Sequence, residues 1–85
     1  MPIDGTLDLH TFHPKDAKSL VPEYLTACHE RGLTKVRIIH GKGQGTLREI
    51  VHSILRQHPL VESFRHEAGS GGSWGATVVD LRESA

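Results

Sequence analysis

The sequence predicts an α/β domain with its elements in the order β-α-β-α-β-β. Three observations carry this. Apolar and polar residues alternate over Thr6-Leu7-Asp8-Leu9-His10, two later stretches repeat apolar residues at helical spacing, and glycines and prolines sit at the junctions. At 85 residues the chain makes one domain near the lower size limit for burying its own core. The core is expected to run from about residue 6 to 82, with no room for an idle linker.

In the first strand Leu7 and Leu9 face one way, and Asp8 and His10 the other. Pro14 suits the first turn of a helix, where a missing N–H costs nothing. Ala17, Leu20, Val21, Tyr24, Leu25 and Cys28 then recur at helical spacing. Pro22 interrupts them, and an interior proline removes a backbone bond and crowds the preceding turn. A kink or break is expected between Ser19 and Pro22, with regular helix on to about Arg31 and Gly32 as the stop. Lys35–Ile39 reads as the second strand. Thr46-Leu47-Arg48-Glu49 has the form of a capping box, with Thr46 as the cap. Leu47, Ile50, Val51, Ile54 and Leu55 form the second helix's stripe, which Pro59 ends. The third strand reads from Leu60 to Glu67 around Val61 and Phe64. A glycine-rich loop, Gly69 to Gly75, leads into a fourth strand, Ala76–Leu81. Right-handed crossovers make the first three strands parallel. The hairpin-length loop makes the last antiparallel. Two helices cover one sheet face and leave the other open.

Ten Lys and Arg balance ten Asp and Glu, which argues against a protein that grips nucleic acid through bulk charge. Seven histidines add positive charge only below about pH 6.5. His29, His52, His58 and His66 read as an ordinary polar face. No apolar run approaches the ~20 residues of a membrane span, and the N-terminus has no signal-peptide pattern. Cys28 is the one cysteine, so no internal disulfide or cysteine-based zinc site forms. A soluble cytoplasmic domain is the expectation.

The chemistry concentrates in two segments. His40-Gly41-Lys42-Gly43-Gln44-Gly45-Thr46 lies between a strand and a helix, the arrangement that makes an anion site. Its glycines let backbone amides approach a phosphate, the helix start adds about half a positive charge, and Lys42 adds a whole one. The spacing is neither that of a P-loop nor of a dinucleotide fingerprint. Asp8 and His10 share a strand face, about 6.6 Å apart along the chain. Ligands of open α/β sheets bind beyond the carboxyl ends of the strands, so Asp8, His10 and His40 are expected to converge on one mouth. The competing reading of Asp8 is an ion pair with Arg37 across the strands. His10 and His13, with His40 and Asp8, are a minor candidate for a divalent metal, since imidazole and carboxylate suit zinc or manganese. Trp74, in the last glycine loop, is either packed over the sheet edge or a stacking platform for a base.

Leu7-Asp8-Leu9-His10, then Ile39-His40-Gly41-Lys42-Gly43 running to Leu47-Arg48, then Gly71-Gly72 leading to Gly75-Ala76-Thr77, resemble the signatures of the small MutS-related (Smr) domain. The resemblance covers about Thr6 to Arg82. It departs at Thr11-Phe12-His13, where the family often has glycine after the D-L-H triplet. It departs again at Ser73-Trp74, where the family usually has a single residue between glycines. The resemblance implies a two-layer α+β sandwich with mixed sheet order 1-2-4-3, similar to the C-terminal domain of translation initiation factor three. It also implies binding to RNA or DNA, a link to ribosomes, and phosphodiester cleavage tied to Asp8, His10, His40, Gly41 and Gly43. Lys42 and Arg48 are then the phosphate contacts, and Gly45 of the glycine loop and Trp74 join them as candidate nucleic-acid contacts on the reading of the residues alone.

The expected function is therefore a nucleic-acid-binding domain with endonuclease activity on RNA or DNA. No cofactor is required, although a divalent cation, Mg or Mn, has a place. The alternatives are a non-catalytic module docking on RNA or the ribosome, and a small phosphate or nucleotide binder. The two departures beside the site bear on activity and substrate choice, not on the fold.

Overall fold

A computed structural model of the chain describes residues 3–9, 11–41, 46–66 and 75–83. It contains β1 (Thr6–Asp8), α1 (Pro14–Glu30), β2 (Lys35–Ile39), α2 (Thr46–Gln57), β3 (Val61–His66) and β4 (Ala76–Leu81). The sheet order is β1-β2-β4-β3. β1 pairs parallel with β2, and β4 pairs antiparallel with both β2 and β3. The first three strands thus share one direction, and the last runs between two of them in the other. This is the α+β, 1-2-4-3 arrangement the resemblance implied.

The core follows from the alternation. Leu7 and Leu9, Val36 and Ile38, and Val79 and Leu81 are all buried on one sheet face, together with Ala17, Val21, Tyr24, Leu25 and Cys28 of α1 and Val51 and Leu55 of α2. Thr6, Asp8 and Lys35, on the intervening positions, are exposed. On that open face Asp80 accepts from Lys35 Nζ at 3.1 Å, Arg65 at 2.8 Å and Ser63 Oγ at 3.2 Å. The Lys35 bond first, then that of Arg65, holds its carboxyl below the usual carboxylate range against a desolvation penalty. Exposed ion pairs of this kind contribute little.

α1 differs from expectation at Pro22. It runs unbroken from Pro14 to Glu30, with the proline inside. An interior proline costs about 3 kcal/mol. Fully burying Val21 or Leu25 contributes about 1.5–3 kcal/mol each, and both, with Tyr24, lie within three residues of Pro22 at no more than 2% exposure. Packing on both sides of the proline outweighs the lost bond. The helix stops as the glycine predicts. Gly32 takes φ +79°, its N–H donates to the His29 carbonyl at 3.0 Å, and the Leu33 N–H reaches back to Cys28 O at 3.0 Å, a Schellman closure.

Three smaller expectations shift. β1 ends at Asp8 rather than His10. Thr46 is already helical, so the capping position lies before it, outside the described residues. His58 is not merely part of a polar face. It accepts from the Leu60 N–H through Nδ1 at 3.2 Å, which leaves the proton on Nε2 to donate to Pro22 O at 3.3 Å. That ties the end of α2 to the middle of α1. No helix among the described residues is long and apolar enough to cross a membrane.

Candidate functional site

The ends of β1 and β2 are neighbours. Asp8 is the register partner of Ile39, and the Leu9 N–H donates to Ile39 O at 2.7 Å. The segments expected to meet do meet, but two of the side chains do not share a face. His40 continues the inward run of Val36 and Ile38 and is buried, 5% exposed. Asp8 alternates with buried Leu7 and Leu9 and is exposed. Because successive strand residues point to opposite faces, the His40 ring lies on the helix-covered side and Asp8 on the open side. The expected convergence of Asp8 with His40 is corrected accordingly. Arg37, two residues before Ile39 and partnered in register with Thr6, is on the same face as Asp8.

Both nitrogens of the His40 ring are engaged. Nδ1 lies 3.1 Å from the Gly41 carbonyl, and Nε2 lies 2.9 Å from Thr77 Oγ1. Burial pushes this imidazole below its ordinary value. The bond to the Gly41 carbonyl opposes that, and the charges of Arg48 and His66 reinforce it. His40 is therefore neutral near pH 7 and links Gly41, just past the end of β2, to Thr77 of β4.

The turn it supports is specific in shape. Gly41 takes φ +82°, in the left-handed region, where a side chain costs about 1–2 kcal/mol. The amides of His40 and Gly41 both donate to the Gly75 carbonyl at 2.8 Å. Those two N–H groups are thus committed to the start of β4. They are not free to meet an anion. Lys42, Gly43 and Gly45 fall outside the described residues, as do His10 and Trp74. The loop re-enters the described structure at Thr46, with exposed Arg48 in the first turn of α2. His13 is exposed at the cap of α1 and makes no side-chain capping bond. Among the described residues no group of three or more His, Cys, Asp or Glu side chains is placed to hold a metal ion.

Reasoning from sequence missed two residues. Thr77 is completely buried at an inward position of β4, and His52 of α2 brings its Nε2 to within 2.9 Å of the same Thr77 hydroxyl. The His52 ring also lies 5.1 Å from the rings of both Phe64 and His66 and 6.1 Å from that of His40. Burial pushes His52 below its ordinary value as well, with His66, His40, Arg56 and Arg48 adding to the effect. It is not the ordinary polar-face histidine it resembled. A signal was present: a threonine on the inward register of an apolar strand must find a hydrogen-bond partner.

A family model, the Smr domain, matches residues 7–82. The chain belongs to the Smr domain family. Its fold agrees with two solved Smr structures. The Smr domain of Thermus thermophilus MutS2 aligns with a TM-score of 0.84 at 36% identity, over 91% of this chain and 96% of that one. YdaL, a stand-alone small MutS-related protein from Escherichia coli, aligns at 0.86 and 26% identity, over 96% of this chain and 67% of that one. Among sequences, Endonuclease MutS2 of Caldicellulosiruptor saccharolyticus is 41% identical over 81 residues. The same protein of Geobacillus thermodenitrificans is 42% identical over 76. This Smr domain spans about 10% of the length of those relatives.

Proposed function

We propose that this Smr domain binds the phosphodiester backbone of nucleic acid at the loop between β2 and α2 and cleaves it there. The observation that carries the reading is the pinned Gly41 turn. It fixes where the chain leaves the sheet, beside the end of β1, and α2 begins at Thr46 with Arg48 exposed in its first turn. Support comes from the relatives named Endonuclease MutS2. In this reading Lys42, Gly43, Gly45 and Arg48 hold phosphate, and Trp74 stacks on a base. His10, oriented by Asp8, is the general base. With RNA, His10 takes the proton of a 2′-hydroxyl, that oxygen attacks phosphorus, and the 5′-oxygen leaves with a proton from Lys42 or water. Lys42, Arg48 and the helix-start amides stabilise the charge that develops on the phosphorane. His40 acts by holding the turn.

The test incubates pure protein with labelled single-stranded RNA and with supercoiled plasmid, each with EDTA or with Mn²⁺. The parent cleaves one of them, and His10→Ala loses at least ~10²-fold in rate. If His10→Ala cleaves as fast as the parent, the mechanism is wrong. A second reading, a non-catalytic module that docks on RNA or the ribosome, is favoured by the closed His40 ring and by zero net charge. RNA binding that survives in His10→Ala and His40→Ala, with no cleavage of any substrate, selects it. Lys42→Ala then weakens affinity and flattens the salt slope by about one ion.

A further inference from the structure

The bonds around Thr77 have a direction that follows from their chemistry. A carbonyl oxygen only accepts, so the His40 nitrogen facing Gly41 O at 3.1 Å, Nδ1, carries the proton. In the neutral ring Nε2 is then an acceptor. Among the described residues, the donor 2.9 Å from it is the Thr77 hydroxyl, which has a single proton to give. With that proton committed to His40, the Thr77 oxygen faces the second imidazole, 2.9 Å away, only as an acceptor. His52 must therefore carry its proton on Nε2. The order runs from the His52 N–H to the Thr77 oxygen, from the Thr77 O–H to His40 Nε2, and from the His40 Nδ1–H to the Gly41 carbonyl.

We infer that His52 is a positioning residue: by donating its Nε2–H to the Thr77 oxygen it keeps the Thr77 hydroxyl aimed at His40, and so steadies from α2 the ring that ties down the Gly41 turn. No other arrangement of protons satisfies all three bonds with both rings neutral. If His52 gave up its Nε2 proton, the Thr77 hydroxyl would have two acceptors for one proton, and His40 would lose its hold. The charged and titratable groups facing the two rings are Arg48 and Arg56 of α2 and His66 of β3. They oppose a positive charge on either ring and so favour the neutral, ordered chain. Phe64 and His66 flank His52 and keep its ring in place.

The consequence for nucleic-acid binding rests on the function proposed above, but the proton order does not, so the two fail separately. Imidazole ¹H–¹⁵N spectra of the full chain at pH 7.5 read the order directly. The expected result is His40 protonated on Nδ1 and His52 on Nε2. A His52 protonated on Nδ1, or averaging between tautomers, overturns the inference. His52→Gln retains a donor near the place of Nε2, whereas His52→Phe keeps a ring against Phe64 and His66 but has no donor. The Gln variant is expected to keep the His40 tautomer and to bind single-stranded RNA within about twofold of the parent. In the Phe variant the Thr77 hydroxyl loses the donor that aims it, the His40 ring signals shift while the Nδ1 tautomer stays, and RNA affinity falls about five- to tenfold, the loss expected of one hydrogen bond. A Phe variant whose His40 signals and affinity match the parent's overturns the inference. If the parent binds neither single-stranded RNA nor plasmid DNA, the functional reading fails, and the spectra alone decide whether His52 orders the chain.

Discussion

Replacing Thr77 by valine tests the buried cluster with little change of shape. The hydroxyl makes two 2.9 Å bonds, one to each imidazole, at a position with no exposure. A neutral hydrogen bond contributes about 1 kcal/mol net, whereas losing one that leaves a buried acceptor without a partner costs about 1–3 kcal/mol. His40, 5% exposed, is left in that state. Half-buried His52 can turn its N–H to water. The extra methyl regains about 0.8 kcal/mol. Thr77→Val should therefore destabilise the domain by about 1–3 kcal/mol, a fall of roughly 5–20 °C in Tm for a domain this small. Thr77→Ser is the control. It keeps both bonds, loses one methyl and should cost about 1 kcal/mol. Urea denaturation at pH 7.5 followed by far-ultraviolet circular dichroism measures both. A valine variant as stable as the parent, or a serine variant less stable than the valine one, would show that packing rather than hydrogen bonding holds this site.

Pro22→Ala should stabilise the chain by about 1–3 kcal/mol, because α1 is already continuous and regains a backbone bond. A lower urea midpoint would refute that. Gly41→Ala should cost about 1–2 kcal/mol through its positive φ and should also weaken RNA binding in a filter assay. Gly32→Ala meets nothing within 4 Å of the new Cβ, so it should cost only strain of about the same size and leave binding alone. His40 and His52 both titrate below the ordinary histidine value. Between their folded values and about 6.5 the unfolded chain binds more protons than the folded one. Their contribution to stability is thus complete above that range and declines as pH falls through it. Urea midpoints at pH 7.5, 6.5 and 5.5 should fall in that order, and a flat series would contradict the assignment of two buried neutral rings.

The element order, the inward residues of each strand and the stop at Gly32 could all be read from the chain. Each depends on residues within one helical turn or one strand of each other. Leu7 and Leu9 had to share a face because the strand period is two, and a glycine after Glu30 and Arg31 had to end α1 because other residues resist that backbone geometry. Features decided across the fold were not legible in the same way. Spacing gave α1 a break at Pro22, but the helix continues because neighbours distant in sequence bury Val21, Tyr24 and Leu25. Spacing placed β4 beside β3 without showing that it also pairs with β2, and the 1-2-4-3 order came only with the family resemblance.

The site divides along the same line. The glycine loop and the Asp8-x-His10 pair were visible as motifs, but which face each side chain takes depends on how the strands register. His40 and Thr77 are 37 residues apart, and Thr77 and His52 are 25 apart. Local propensity does not act over such distances. Only the insertion of β4 against β2, with α2 lying over it, brings the two rings onto one hydroxyl.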